Sequence, residues 1–369
     1  MTSRNWFRLL AALLAFGLVA AACGSDDDDA DTAATTTTEA AEETTEAPAT
    51  TEAMEEEEEE AMEEEEAMEE EEEAMAEEVD HDLSGVCPSP FIIQTDWFPE
   101  SEHGALYQMI GDDYTVDTGA KVVRGSMWAP GPTPTGIEIE VRTGGPAIGF
   151  SPPRVQMATD LDIHMGYSTI DSQYQSWDDI KLITVAAPLN KNPQIIMWDA
   201  DTYPDIKTIE DIGAAGITVN LFGAGGFDKV FTSQGIWSED QIDPSYDGTP
   251  ARFISEGDIA QQGFASAEPY AYEFVFEEYG KAPKFQLLHD AGYDGYSQTL
   301  GVRPEDLEDL RPCLEKLIPI VQQSVVDFAT DPARANAVIV DTVATFGASW
   351  VYPAELAEFS VGIMTELEL

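Results

Sequence analysis

The chain has 369 residues, of which 72 are acidic and 17 basic, and a formal net charge of −55. Residues 1–80 hold 28 of the acids and two of the bases, leaving 44 acids against 15 bases, a net of −29, for the remainder. No Lys or Arg cluster interrupts that acidic background, which excludes nucleic acid as a partner because phosphate binding needs grouped cations.

Arg4 and Arg8 precede an apolar run at 9–22 that stops at Cys23 and Gly24. The run is too short to span a bilayer as a helix and reads as the hydrophobic part of an export signal. The sequence LVAAAC, with alanines at 20–22, resembles a bacterial lipobox, in which the cysteine is diacylated and residues 1–22 are removed. An ordinary secretory signal is the alternative. Two acyl chains on Cys23 anchor a protein stably, at about 0.8 kcal/mol per buried methylene. The expected location is therefore extracytoplasmic, on the membrane of a bacterial cell.

Residues 23–86 run from SDDDDADTAATTTT into AMEEEE units with few core-forming side chains. This composition predicts a disordered, self-repelling tether with an end-to-end distance of roughly 45 Å. Glutamates at i,i+4 repel one another and oppose a helix there. With Cys23 assigned to lipid, Cys87 and Cys313 form an even pair, which in an oxidising compartment predicts a disulfide. Two buried thiols are the other reading.

Beyond the tether the chain is long enough for two lobes. Short β-rich runs follow at 91–97, 137–143, 161–166, 182–188, 194–198, 217–222 and 285–290, separated by helix candidates such as HGALYQMI, TIEDIG, GFDKVFTSQ and PYAYEFVFEEYG. This alternation predicts an α/β protein with open, mostly parallel sheets flanked by helices. From Pro304 the pattern is helical only, with Pro319 expected to kink a helix reaching about Thr330, Pro332 starting another to Phe346 and Pro353 a last one.

The run LITVAAPLNKNPQIIMWDADTYPDIKTIEDIGAAGITVNLFGAGG resembles the crossing between lobes of type II periplasmic solute-binding proteins, in the branch that binds nitrate, sulfonates and thiamine precursors. The return crossing is FQLLHDAG. The resemblance implies a two-lobed type II fold, with 88–190 and 288–369 as lobe one and 191–287 as lobe two. Three further segments carry it. TDWFPESEHGALYQ is similar to the family's first strand, turn and helix, with Trp97, His103 and Tyr107 at the matching positions. In open α/β sheets ligands sit at the carboxyl ends of strands, where Asp96 and Trp97 fall. Core packing of Trp97 and a capping role for His103 are the structural alternatives.

IEIEVRTGGPAIGF places Gly144 and Gly145 between a strand and a helix start, where backbone N–H groups could receive an anion, or where two glycines simply make a turn. LDIHMGY brings Tyr167 to a strand end. In GFASAEPYAYE, Glu268, Pro269 and Tyr270 match the family's Glu-Pro-Tyr, with Glu268 aimed at the cleft or serving a helix N-terminus. Gly223, Gly225 and Gly226 open another helix after a strand. The chain departs from the family at 112–135, a Pro- and Gly-rich excursion expected as a loop that could overhang the cleft.

The resemblance implies a solute receptor of an ABC importer, expected to act as a monomer, that binds a small molecule by hinge closure and delivers it to a permease. Nitrate or a sulfonate would need backbone amides or Arg142 and Arg154; an aromatic or cationic heterocycle would use the aromatics and Glu268, and the acidic, aromatic bias favours the second. An enzyme on the same fold and a ligand-sensing surface lipoprotein are the alternatives. Nothing in the sequence demands catalysis or a cofactor: HExxH, CxxC, P-loop and GxSxG are absent, and His81, His103, His164 and His289 have no metal-ligand spacing.

Overall fold

The computed structural model describes residues 80–369 apart from 224 and 225. The export signal, Cys23 and the tether up to residue 79 lie outside the described residues, as does Gly225. Among the described residues no helix is long and apolar enough to cross a membrane.

The described chain forms two sheets flanked by helices. The first contains β1 (Phe91–Gln94), β2 (Thr115–Asp117), β3 (Val122–Ala129), β4 (Thr133–Arg142), β5 (Met165–Ser168), β6 (Ile183–Ala186) and β12 (Thr299–Val302), in the order β2-β3-β4-β1-β5-β12-β6. The second contains β7 (Gln194–Trp198), β8 (Val219–Asn220), β9 (Ile242–Asp243), β10 (Ala260–Phe264) and β11 (Lys284–Leu287), ordered β11-β7-β10-β8-β9. Residues 187–193 leave the first sheet for the second, and 288–298 return, so that β12 inserts between β5 and β6.

β1 is buried at every position, which is why FIIQ reads as a continuous run: helices cover both faces of a central strand that pairs in parallel with β4 and β5. In β7 the alternation instead feeds two cores. Ile196 and Trp198 pack with Ile209, Val219, Phe231 and Trp237 on one face, while Ile195 and Met197 pack with Phe253, Tyr272 and Leu287 on the other. The pairing is mixed rather than mostly parallel, because β12 runs antiparallel to both neighbours and β7 antiparallel to β10 and β11. The strands that carry the chain between sheets arrive from the opposite end, and that reverses them.

The 112–135 excursion is a second difference from expectation. It forms β2, β3 and the start of β4, an antiparallel extension of the first sheet, and contributes nothing to the lining of the cleft. Val123, Gly125, Met127 and Ala129 face inward at period two, and apart from Gly125 inside β3 the glycines and prolines lie at its turns and strand ends rather than marking one long loop.

The C-terminal helices span Leu307–Thr330, Ala333–Phe346 and Ala354–Glu366. In the first, Leu310, Cys313, Leu314, Leu317, Ile320, Val321 and Phe328 form the buried stripe, and both Pro312 and Pro319 are accommodated within one continuous element. The Cys87–Cys313 disulfide ties the entry of the domain to this helix across 226 residues of sequence. Closing so long a loop in the unfolded chain is worth up to about 5 kcal/mol. The double variant Cys87→Ser/Cys313→Ser should accordingly lose several kcal/mol in a urea titration, and the untouched protein should lose the same amount when titrated in reductant.

Candidate ligand cleft

The site starts where β1 ends. Gln94 Nε2 donates to the carbonyls of Thr95 (3.0 Å), Arg142 (3.2 Å) and Thr143 (3.1 Å), and Thr95 Oγ1 lies 2.8 Å from the Trp97 carbonyl. The Gly144 amide donates to the same Trp97 carbonyl at 2.9 Å. These bonds clamp the loop carrying Asp96 and Trp97 against the end of β4. A Cβ at Gly144 would fall 2.2 Å from the Thr95 carbonyl oxygen, and one at Gly145 2.6 Å from the Trp97 ring. The glycines therefore permit close approach, and the Gly144 N–H is already spent within the protein. Only a single 3-10 turn, Gly145–Ile148, follows them.

Asp96 accepts from or pairs with His103 Nε2 at 2.8 Å, with Gln298 Nε2 3.5 Å from its other oxygen. His103 is fully buried behind Asp96, its ring edge-on to Tyr167 at 4.8 Å. The Tyr167 hydroxyl is buried without a partner among the described residues, and burial with Asp96 nearby pushes its pKa well above the usual phenol range. Trp97 lies at the centre of an aromatic cluster: Phe150 (6.1 Å), Phe222 (5.8 Å, edge-on) and Trp350 (6.1 Å, edge-on) surround it. Tyr246 continues the cluster 6.4 Å beyond Phe222.

Together these groups bound a cavity of about 500 Å³ between the two sheets. Asp96, Trp97, Gly145, Arg154, Tyr167 and Trp350 line it from the side of the first sheet, and Phe222, Gly223, Gly226, Tyr246 and Glu268 from the second. Both crossings contribute, through Asn192 and through Ser297 and Gln298. Glu268 accepts from the Phe264 amide at 2.7 Å, and burial pushes its carboxyl up to about 7. Arg154 reaches Ser172 Oγ at 2.5 Å, and burial lowers its pKa.

Not every residue singled out in the sequence reaches the cavity. Tyr107 is in the first-sheet core, His103 supports Asp96 from behind, and Gly144 lies beneath the Trp97 loop. Tyr270 packs on Phe274 (4.7 Å) and Phe359 (5.3 Å), because the turn after Pro269 carries it away from Glu268. Arg142 is committed to Glu140 (2.6 Å) and Asp160 (2.7 Å). Conversely Glu100, Phe150 and Phe222, inside quoted segments but not singled out there, and Tyr246, Gln298 and Trp350 also line the cavity.

Among solved structures, the chain is similar to the periplasmic aliphatic sulphonate binding protein SsuA from Escherichia coli, at 13% identity over 75% of this chain and 84% of that one, with a TM-score of 0.46. It is similar also to the ligand binding component of an ABC-type import system from Staphylococcus aureus with zinc bound, at 11% identity over 73% and 83% of the two chains and a TM-score of 0.45. The alkanesulfonate-binding protein SsuA from Xanthomonas axonopodis pv. citri bound to MOPS follows, at 11% identity over 75% and 85%, with a TM-score of 0.44. No family model and no curated protein matches the chain. These likenesses concern the arrangement of the chain and name no ligand for it.

Two outcomes follow from the geometry. Gly144→Ala forces the Thr95–Trp97 backbone aside and should cost about 1–3 kcal/mol in a denaturant titration. Glu268 holds its proton in the folded state to about pH 7, whereas in the unfolded chain it releases it near the ordinary carboxylate value. Its contribution to stability is therefore lost progressively as pH rises between those values, by at most roughly 3 kcal/mol. Glu268→Gln keeps an acceptor for the Phe264 amide, so the variant should gain on the wild type between pH 5 and pH 8 in paired melts. A gap that is flat or narrows over that range would contradict the raised carboxyl.

Proposed function

We propose that this chain is an extracytoplasmic solute-binding protein of an ABC importer, held at the membrane by acyl groups on Cys23 through the 23–86 tether. In this reading 88–190 with 288–369 and 191–287 act as two lobes hinged at the two crossings. They close on a small molecule and present it to a permease. The observation that carries the reading is the cavity of about 500 Å³ walled from both sheets, with Trp97 and Phe222 in edge-on contact where the two walls meet. A ligand that touches both walls gains contacts only when they are together, so binding shifts the population towards the closed form. The volume suits a small molecule.

The favoured ligand is an aromatic or cationic heterocycle. Flat rings stack on the Trp97 cluster, and the indole faces attract positive charge. Nitrate or a sulfonate would rely on Arg154, since Arg142 is held by two carboxylates and the Gly144 amide by Trp97.

A thermal-shift panel of aminopyrimidines, riboflavin, polyamines, taurine, alkanesulfonates and nitrate tests this on protein stripped of co-purified ligand by unfolding and refolding. A ligand at 100 times its dissociation constant adds about 2.7 kcal/mol. Trp97→Ala should weaken binding of the panel's best ligand by about tenfold or more. Unchanged affinity would remove the aromatic platform from the account, and a flat panel would count against solute capture.

A further inference from the structure

Glu100 has no evident purpose in the fold. It follows Trp97, Phe98 and Pro99 and precedes the turn Ser101–His103, with only 5% of its surface exposed, and that remainder faces the cavity. Its main-chain carbonyl accepts from the His103 amide, but its carboxylate makes no hydrogen bond or ion pair among the described residues. The neighbouring acids are all supported: Asp96 by His103, Glu102 by Ser266 and Glu268 by the Phe264 amide. Burial, reinforced by Glu102, Asp96 and Glu268, all of its own sign, drives the Glu100 pKa well above the carboxylate range.

A buried carboxyl without a partner is expensive, and a Gln of the same shape would remove the charge at little steric cost. What the position lacks is a donor with positive charge, and the space it faces is the cavity. The same cavity is lined by Trp97, Tyr246 and Trp350, aromatic rings of the kind that attract a cation.

We infer that Glu100 is the anchoring acceptor for a protonated nitrogen of the bound molecule, an ammonium or amidinium, with Asp96 and Glu268 adding charge of the same sign. This rests on the reading of the cleft as a solute site and narrows its ligand to cations that carry N–H donors. Arg154, tied to Ser172 elsewhere on the wall, is left to meet any anionic substituent.

The test compares three benzene derivatives of nearly one shape: benzamidine (cation), benzamide (neutral) and benzenesulfonate (anion). Calorimetric titration of the protein should show benzamidine binding at least about tenfold tighter than either, a charge-assisted bond against a neutral one. Glu100→Gln should erase that preference. It should also raise the melting temperature of the ligand-free protein at pH 8, by roughly 2–4 °C, because a buried carboxyl that must be held protonated against the ionised unfolded chain is gone. Equal or tighter binding of benzamide or benzenesulfonate overturns the inference and leaves the solute-binding reading intact. Failure of benzamidine to bind while riboflavin, an alkanesulfonate or nitrate does has the same meaning, as does a polyamine that binds the wild type and Glu100→Gln equally, and silence from every compound sinks the two together. A lowered melting temperature in Glu100→Gln would show the carboxyl to be structural and overturn the assignment independently of any ligand. If that variant does not fold, the three-probe comparison on the wild type still decides.

Discussion

A buried chain of hydroxyls holds the cleft's parts in register. Tyr352 Oη receives the Ser101 amide at 3.0 Å and lies 2.9 Å from the hydroxyls of both Ser101 and Ser360. Ser360 Oγ in turn donates to the Ser266 carbonyl at 2.5 Å, and Ser266 Oγ bonds Glu102. The turn after β1, the end of β10 and the last helix thus meet in one network that water does not enter. Buried polar groups are costly unless partnered, so these elements cannot drift apart without exposing several of them at once. Asp96 and Trp97 lie just before that turn and Glu268 just after Ser266, which makes the network a common footing for both walls of the cavity.

Above this footing the walls are adaptable. Phe150 and Phe222 are about half exposed and meet as tilted rings, while Trp97 meets Phe222 edge-on. Edge-to-face contacts contribute about 0.5–1.5 kcal/mol each beyond area burial, enough to favour a closed arrangement without locking it. The floor is rigid because hydrogen bonds define it, and the rim can respond to what enters because dispersion defines it. That division suits capture by closure.

The acidic surplus is distributed in two ways. Among the described residues most of it is on the surface, where screening by salt leaves each charge nearly independent. A small part is gathered inside, at Asp96, Glu100, Glu102 and Glu268, where low dielectric makes each charge act on the others. Composition cannot separate these populations, since a glutamate in the sequence carries no mark of the medium around it. Folded proteins tolerate such clusters at binding sites, where stability is given up for function.

Local pattern was a good guide wherever one element could be read alone. FIIQ and QIIMW are strands because their apolar runs are short and β-branched, and the 307–330 helix shows its 3.6-residue stripe despite two prolines. The pairing of Cys87 with Cys313 followed from number and compartment, and Asp96 and Trp97 from their place at a strand end. The antiparallel run of β2, β3 and β4 was hidden because the glycines and prolines at its turns look the same there as in a loop. β12, TLGV, has no run of adjacent β-branched residues and carries a glycine, so unlike FIIQ of the same length it does not read as a strand. The sequence by itself thus determined the α/β class, the helical C-terminus and the strand end from which the cleft begins, since those depend on neighbours a few residues apart. Only the tertiary structure decided that Glu100, Phe150, Phe222, Tyr246 and Trp350 share one cavity while Tyr107 and Tyr270 do not. Convergence across long stretches of chain is set by how sheets and helices pack, and no local periodicity encodes it.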